Sequence, residues 1–145
     1  MKNKKIELLH EDFTDFEIGD FPYDREHSAM GEYNLYRNEG YHGGWYDPVV
    51  NYTYRGPSWI ITEDNGMHFM EQMRIETDNP HKTYPTLVRG DLTWKDYTFS
   101  AVVRPLNTKG MVGIGFCYTN SLNTLVLALE GDHIRLTYRH KAKET

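Results

Sequence analysis

The sequence predicts an all-β fold, a two-sheet antiparallel sandwich of the jelly-roll type, and three observations lead there. Short alternating or apolar runs recur along the chain, separated by Gly, Asn, Asp and Pro. No stretch carries a convincing helical period. Aromatic residues are unusually frequent, with eleven Tyr, six Phe and three Trp, and these residue types suit cross-strand pairs on a pleated surface. At 145 residues the chain fits one domain, 1–145. A domain of that size buries about two-thirds of its unfolded surface and needs no disulfide or metal to hold it.

The elements follow in order. Residues 11–16 open the sheet. Residues 20–42 are polar, aromatic and weakly periodic, with one short strand at 32–37. Strands are expected at 49–54 and 58–62; Asp64-Asn65-Gly66 is a strong hairpin turn, with 67–75 returning. Residues 77–84 form a loop around Pro80, and 85–89 begin another strand. The run 97–104 alternates, with Tyr97, Phe99, Ala101 and Val103 on one face. Residues 105–110 turn, and 111–118 form the next strand. Gly113 and Gly115 lie on one face of it, so a neighbour packs close there or a bulge forms. After a turn at 119–123, strands at 124–130 and 133–139 flank a tight Gly131-Asp132 turn and close a four-strand meander. Repeats, low-complexity segments and linkers are absent, so no domain boundary is placed.

Charge and composition narrow the function classes. The net charge is −5 with both signs interspersed. The one basic cluster is Arg135, Arg139, His140, Lys141 and Lys143 near the end. A concentrated phosphate-binding face is missing, which argues against nucleic acid. No apolar run approaches the ~20 residues of a membrane-spanning helix. Residues 1–5 resemble the charged opening of a signal peptide, but the apolar stretch that should follow is interrupted by Glu7, His10 and Glu11. The expectation is a cytoplasmic chain, or a piece of a longer protein with a downstream domain. The lone Cys117, in an apolar-rich run, is expected to be a buried and inert thiol.

Gly90-Asp91, then Trp94-Lys95-Asp96-Tyr97 leading into the alternating strand, then Arg104-Pro105-Leu106, then Gly113-Ile114-Gly115-Phe116 with Tyr118 and Asn120-Ser121, form a recognisable series. Over about 90–138 it resembles the concanavalin-A-like (laminin-G-like) sandwiches of bacterial polysaccharide-degrading proteins. Upstream, Gly31-Glu32-Tyr33, residues 43–48, Ser58-Trp59 and Met70-Glu71-Gln72 are similar to the N-terminal β-sandwich regions of pectin-degrading proteins of the rhamnogalacturonan-lyase-like kind. The resemblance implies a carbohydrate partner and allows a structural calcium. Such sandwiches usually continue for several strands beyond the equivalent of Tyr138, where this sequence reaches only Thr145. Within the series, Trp94, Asp96 and Tyr97 are expected to be structural, with Asp96 bonding turn amides.

The segment of greatest functional interest is 41–48. Gly43 and Gly44 free the backbone, and Trp45 and Tyr46 stand beside His42 and Asp47. Sugars bind with their C–H surface on an aromatic ring and their hydroxyls on polar side chains, and this segment offers both. The competing reading is a loop pinned by a buried Trp. A second group is Tyr52, Tyr54, Arg55 and Trp59, in which Arg55 suits a bidentate bond to a uronate carboxylate. The reading it fits more readily is a half-buried strand with Arg covering aromatic surface.

Two catalytic readings remain. Glu63 and Glu71, with Gln72 and Arg74 near, flank the hairpin turn and would face each other across it. Two carboxylates roughly 5–9 Å apart serve glycoside hydrolysis, although exposed cross-strand charges are commoner. A lyase needs a base beside the uronate and a cation on its carboxylate, roles for which His42 or Tyr54 with Arg55 are the candidates. For metals, His68 and Glu71 lack a third zinc ligand, and Glu11, Asp12 and Asp15 could supply oxygens to calcium. The expectation is therefore no required cofactor. The preferred function is a non-catalytic carbohydrate-binding or accessory domain for plant cell-wall (pectic) oligosaccharide, with Trp45, Tyr46, Asp47, His42, Arg55 and Trp59 as the binding residues. The alternatives are a glycoside hydrolase or polysaccharide lyase, and a structural or homo-oligomeric sandwich without ligand.

Overall fold

The computed structural model of the chain describes residues 5–21, 42–49, 58–74, 85–107, 110–120, 122–140 and 143–144. Among them there is no helix, and the strands form three antiparallel sheets, none closed, so the all-β expectation holds. Among the described residues nine strands run in order: β1 (Gly19–Asp20), β2 (His42–Tyr46), β3 (Trp59–Asp64), β4 (Met67–Gln72), β5 (Val88–Asp91), β6 (Met111–Asn120), β7 (Asn123–Glu130), β8 (His133–His140) and β9 (Lys143–Glu144). The sheets have the orders β1-β3-β4, β2-β5 and β6-β7-β8-β9. The chain divides into two compact units, Met1–Gly90 and Asp91–Thr145, where the sequence offered no boundary.

In the first unit the β3–β4 hairpin is closed by Asn65 and Gly66, which pair Asp64 with Met67. Both turn residues have positive φ, 55° and 77°, the arrangement whose twist matches that of the strands it joins. Gly19 and Asp20 add to the other side of β3, against Ile61 and Ile60. Ile61 is fully buried, and Phe21, Tyr46, Val49, Pro48 and Ser58 are buried in the same unit. Main-chain bonds Phe21 N→Trp59 O (3.2 Å) and Met73 N→Ser58 O (2.9 Å) extend both ladders beyond the strands.

Residues 11–16 are not the expected strand. Phe13 has φ 61°, Phe16 N bonds back to Phe13 O at 3.1 Å, and Asp12 Oδ1 accepts from both Thr14 N and Thr14 Oγ1. Side-chain acceptors two residues from their donors draw this backbone into a turn and away from a ladder. Of the expected strand at 49–54, Val49 lies in a turn; 50–54 and the strand at 32–37 lie outside the described residues.

In the second unit β6, β7 and β8 form the meander that the sequence predicted, each one or two residues longer than expected. Its expected first member is missing. Residues 97–104 are exposed and form no strand. Alternation describes which side of a strand is apolar and supplies no neighbour to bond, so on its own it does not make a ladder. Just before this segment, Thr93 N and Thr93 Oγ1 donate to Asp91 Oδ1 at 2.7 and 2.6 Å, and Trp94 N bonds Asp91 O at 3.1 Å. The amide-capping role expected of Asp96 therefore belongs to Asp91. Cys117 is another correction: it is exposed, with φ 51°, where the β6–β7 register shifts between Phe116 and Asn120. Between the Phe116–Leu125 and Asn120–Asn123 pairs β6 advances four residues while β7 advances two, and Cys117 lies in the excess.

The close approach expected at the β6 glycines is found at Gly113, which pairs with Ala128. A Cβ there would lie 2.6 Å from the carbonyl oxygen of Leu127 and 3.0 Å from Ala128 Cα, whereas one at Gly115 meets nothing nearer than 3.7 Å. Gly113→Ala should therefore destabilise the protein by about 1–3 kcal/mol through overpacking against backbone. Gly115→Ala should be neutral or stabilising by up to ~1 kcal/mol through the lost freedom of the unfolded chain. Urea midpoints of the two variants check this; equal shifts would remove the packing explanation.

Candidate functional site

The carboxylate of Glu11 draws together parts of the first unit far apart in sequence. Its Oε1 accepts from Phe13 N at 2.8 Å, which fixes the turn that carries it. Its Oε2 accepts from Trp45 Nε1 at 2.9 Å, 34 residues away, and from Arg89, 78 residues away, with which it also forms an ion pair. Trp45 lies on β2 and Arg89 on β5, neighbours in one sheet, so the strand pairing places the indole beside the guanidinium. The Arg89 Cζ sits 5.7 Å from the centre of the Trp45 ring, within the range of a cation–π contact. The side chains are 14% (Glu11) and 26% (Arg89) exposed, so the pair is shielded but not sealed from water.

Aromatic rings connect this cluster to the buried Phe21. Phe21 contacts Phe16 at 5.6 Å, Phe16 contacts Phe13 at 6.4 Å, and Phe13 contacts Trp45 at 5.9 Å between ring centres, all in tilted geometries. His68 on β4 holds the turn from the other side, its Nδ1 3.1 Å from Phe13 O. A carbonyl oxygen only accepts, so Nδ1 carries the proton.

The sequence-predicted site residues are placed as follows. Trp45 is half-buried, with its N–H used by Glu11. Tyr46 and Asp47 point into the unit, at 3% and 8% exposure, and Asp47 Oδ1 accepts from Val49 N at 3.0 Å. Segment 45–49 is thus partly core, through residues 46–49 rather than the buried Trp of the competing reading, and Trp45 is its ring nearest solvent. Trp59 is half-buried, and its Nε1 is buried without a hydrogen-bond partner among the described residues. The His42 side chain and Tyr52, Tyr54 and Arg55 lie outside the described residues, so the lyase grouping is not placed.

The expected facing of Glu63 and Glu71 is not found. Glu63 pairs with His68 and Glu71 with Ile60. Position 71 is an odd number of residues from 68, so the two carboxylates emerge on opposite faces of the hairpin. Of the calcium candidates, Glu11 is engaged with Arg89 and Trp45, and Asp12 with Thr14. Groups of three or more His, Cys, Asp or Glu side chains arranged for a metal are not found among the described residues. No helix among those residues is long and apolar enough to cross a membrane.

Sequence reasoning singled out Glu11 only as a calcium ligand, and passed over Arg89 and Phe13. Nothing local marks Glu11 and Arg89 as partners across 78 residues. Comparison of the chain with protein-family models, with curated proteins and with solved structures finds no match.

Two outcomes follow. Glu11→Ala should cost about 2–3 kcal/mol, less than a fully buried pair because Arg89 retains access to water, and Arg89→Ala in the same background should add little. A double-mutant cycle in urea measures this, and additive losses would mean that the two residues act separately. The Thr14 hydroxyl, and then the Thr14 amide, hold the Asp12 carboxyl below its ordinary range. Its folded-state value is depressed, so the stabilisation it gives is present at neutral pH and is lost as the pH falls below the ordinary carboxyl range. An NMR titration should show the Asp12 midpoint rising in Thr14→Val; an unmoved midpoint would assign the effect elsewhere.

Proposed function

We propose that the protein is a non-catalytic carbohydrate-binding or accessory module, and that it takes acidic, uronate-bearing oligosaccharides of the pectic kind on the Trp45–Arg89–Glu11 cluster. The observation that carries this reading is the shared hydrogen bonding and cation–π contact that hold an indole, a guanidinium and a carboxylate together at the edge of a β-only unit. A guanidinium has five N–H donors, and Glu11 does not use all of them, so Arg89 has capacity for a sugar carboxylate. The part-exposed indole supplies apolar surface for sugar C–H groups, and the fixed rings behind it spare the ligand the cost of ordering the site. The likeness of residues 90–138 to concanavalin-like jelly-roll sandwiches, set out from the sequence, points towards the same ligand class.

Calorimetric titration with oligogalacturonides and with neutral oligosaccharides of equal length tests the proposal. Wild type should bind the acidic series more tightly. Trp45→Ala should lose binding to both series, and Arg89→Lys, which keeps the charge but not the planar fork, should lose about tenfold on the acidic one, ~1.4 kcal/mol. Absence of any glycan binding at millimolar concentration overturns the reading. Release of unsaturated or new reducing ends from the oligomers would move the protein to the enzyme class.

A further inference from the structure

Arg89 and the indole of Trp45 donate to one shared acceptor, the carboxylate oxygen Oε2 of Glu11. A guanidinium beside an indole N–H supplies donors and no acceptor, which makes the pair a seat for a carboxylate. The donors stand on paired strands, β5 and β2, so the sheet fixes the seat. The carboxylate comes from a different kind of structure. Residues 5–18 belong to no strand, and β1 begins only at Gly19. Among the described residues no main-chain bond ties this strap to a strand. It is held by side chains: Glu11 in the seat, the rings of Phe13 and Phe16, and His68 on the Phe13 carbonyl. Phe13 keeps the turn at φ 61°, a conformation that non-glycine residues adopt uncommonly. The strap can therefore lift without breaking a ladder.

We infer that Glu11 is a built-in occupant of a carboxylate seat, and that the carboxylate of an incoming ligand takes its place and frees the strap. The inference rests on the reading of Arg89 as a carboxylate receptor and does not require the ligand to be a sugar. Arg89 has donors left over, which give an incoming carboxylate a first hold. Two anions on one guanidinium repel each other in a site shielded from water, so the second displaces the first. In the exchange the ligand oxygen accepts from Arg89 and from Trp45 Nε1, while Glu11 and the Phe13 amide return to water. Glu11 is presented by a turn that is already folded, so it competes at an effective concentration far above that of a free acid. A simple monocarboxylate therefore competes poorly. A ligand that also lays apolar surface on the half-buried Trp45 ring competes well. The seat thus selects carboxylates carried on a flat apolar face and rejects small organic acids.

Acetate, a minimal carboxylate, tests the exchange on the full chain at neutral pH, with chloride at equal ionic strength as reference. In Glu11→Ala the vacated seat should take acetate with a dissociation constant of roughly 10–100 mM, the range that a pair of charge-assisted hydrogen bonds supplies. The Trp45 indole N–H resonance should shift with it and saturate. Acetate at about three times that constant should lower the unfolding constant of the variant about fourfold. Wild type should need at least about tenfold more acetate for the same shift, and Glu11→Ala/Arg89→Met should not respond. Where Glu11→Ala fails to fold, Glu11→Gln, which keeps the shape and an acceptor for the indole, takes its place with the same expected order. An indole resonance unmoved by acetate in the variant overturns the inference, and so do equal responses of variant and wild type. Acetate rescue in a protein that binds no oligogalacturonide upholds the seat and ends the sugar reading; oligogalacturonide binding without rescue does the reverse.

Discussion

A carboxylate with a single negative charge organises the first unit. Glu11 accepts the indole N–H of Trp45, pairs with Arg89 and caps its own turn through Phe13 N. Without it, a guanidinium and an indole N–H would be left half-buried and short of an acceptor, at a cost comparable with a large share of a domain's net stability. The β2–β5 pair, the turn at 11–16 and the ring series back to Phe21 all meet at this group. The residues proposed to receive a ligand are the same ones that hold the unit together.

The two units use different physics. The first has few long strands and relies on side-chain hydrogen bonds, an ion pair and tilted rings. The second is a ladder whose register, from Met111 against Glu130 to Thr124 against Arg139, arises from main-chain bonds between long neighbouring strands. In the first unit a polar substitution matters most where it removes a shared acceptor. In the second, the same substitution matters according to which side of the sheet it falls on.

This difference decides what could be read from the sequence. The meander and the Asn65-Gly66 turn were legible because period-two alternation and positive-φ residues are local properties. The segment 97–104 has the same alternation without the ladder, since pairing requires a neighbour that the segment itself does not encode. Residues 11–16 were misread because Asp12 and Thr14 satisfy one another locally and bend the chain. At the candidate site, Trp45 was legible as an aromatic beside paired glycines. The inward turn of Tyr46 and Asp47 was not, because strand alternation sends Tyr46 to the side opposite Trp45 and the Asp47 carboxylate caps Val49. The facing of Glu63 and Glu71 failed on register parity, which an intervening turn does not reveal.

The irregularity at Cys117 bears on how the second unit avoids polymerising. β6 is the outer strand of its sheet, ten residues long and rich in β-formers, the kind of margin on which another chain's backbone can dock. A positive φ inside it breaks the run of evenly spaced amide and carbonyl groups and increases the local twist. An incoming strand would find a short regular stretch and then a mismatch. Straightening this kink, by a change that restores the register through to Asn120, would leave the whole margin regular and open to strand addition.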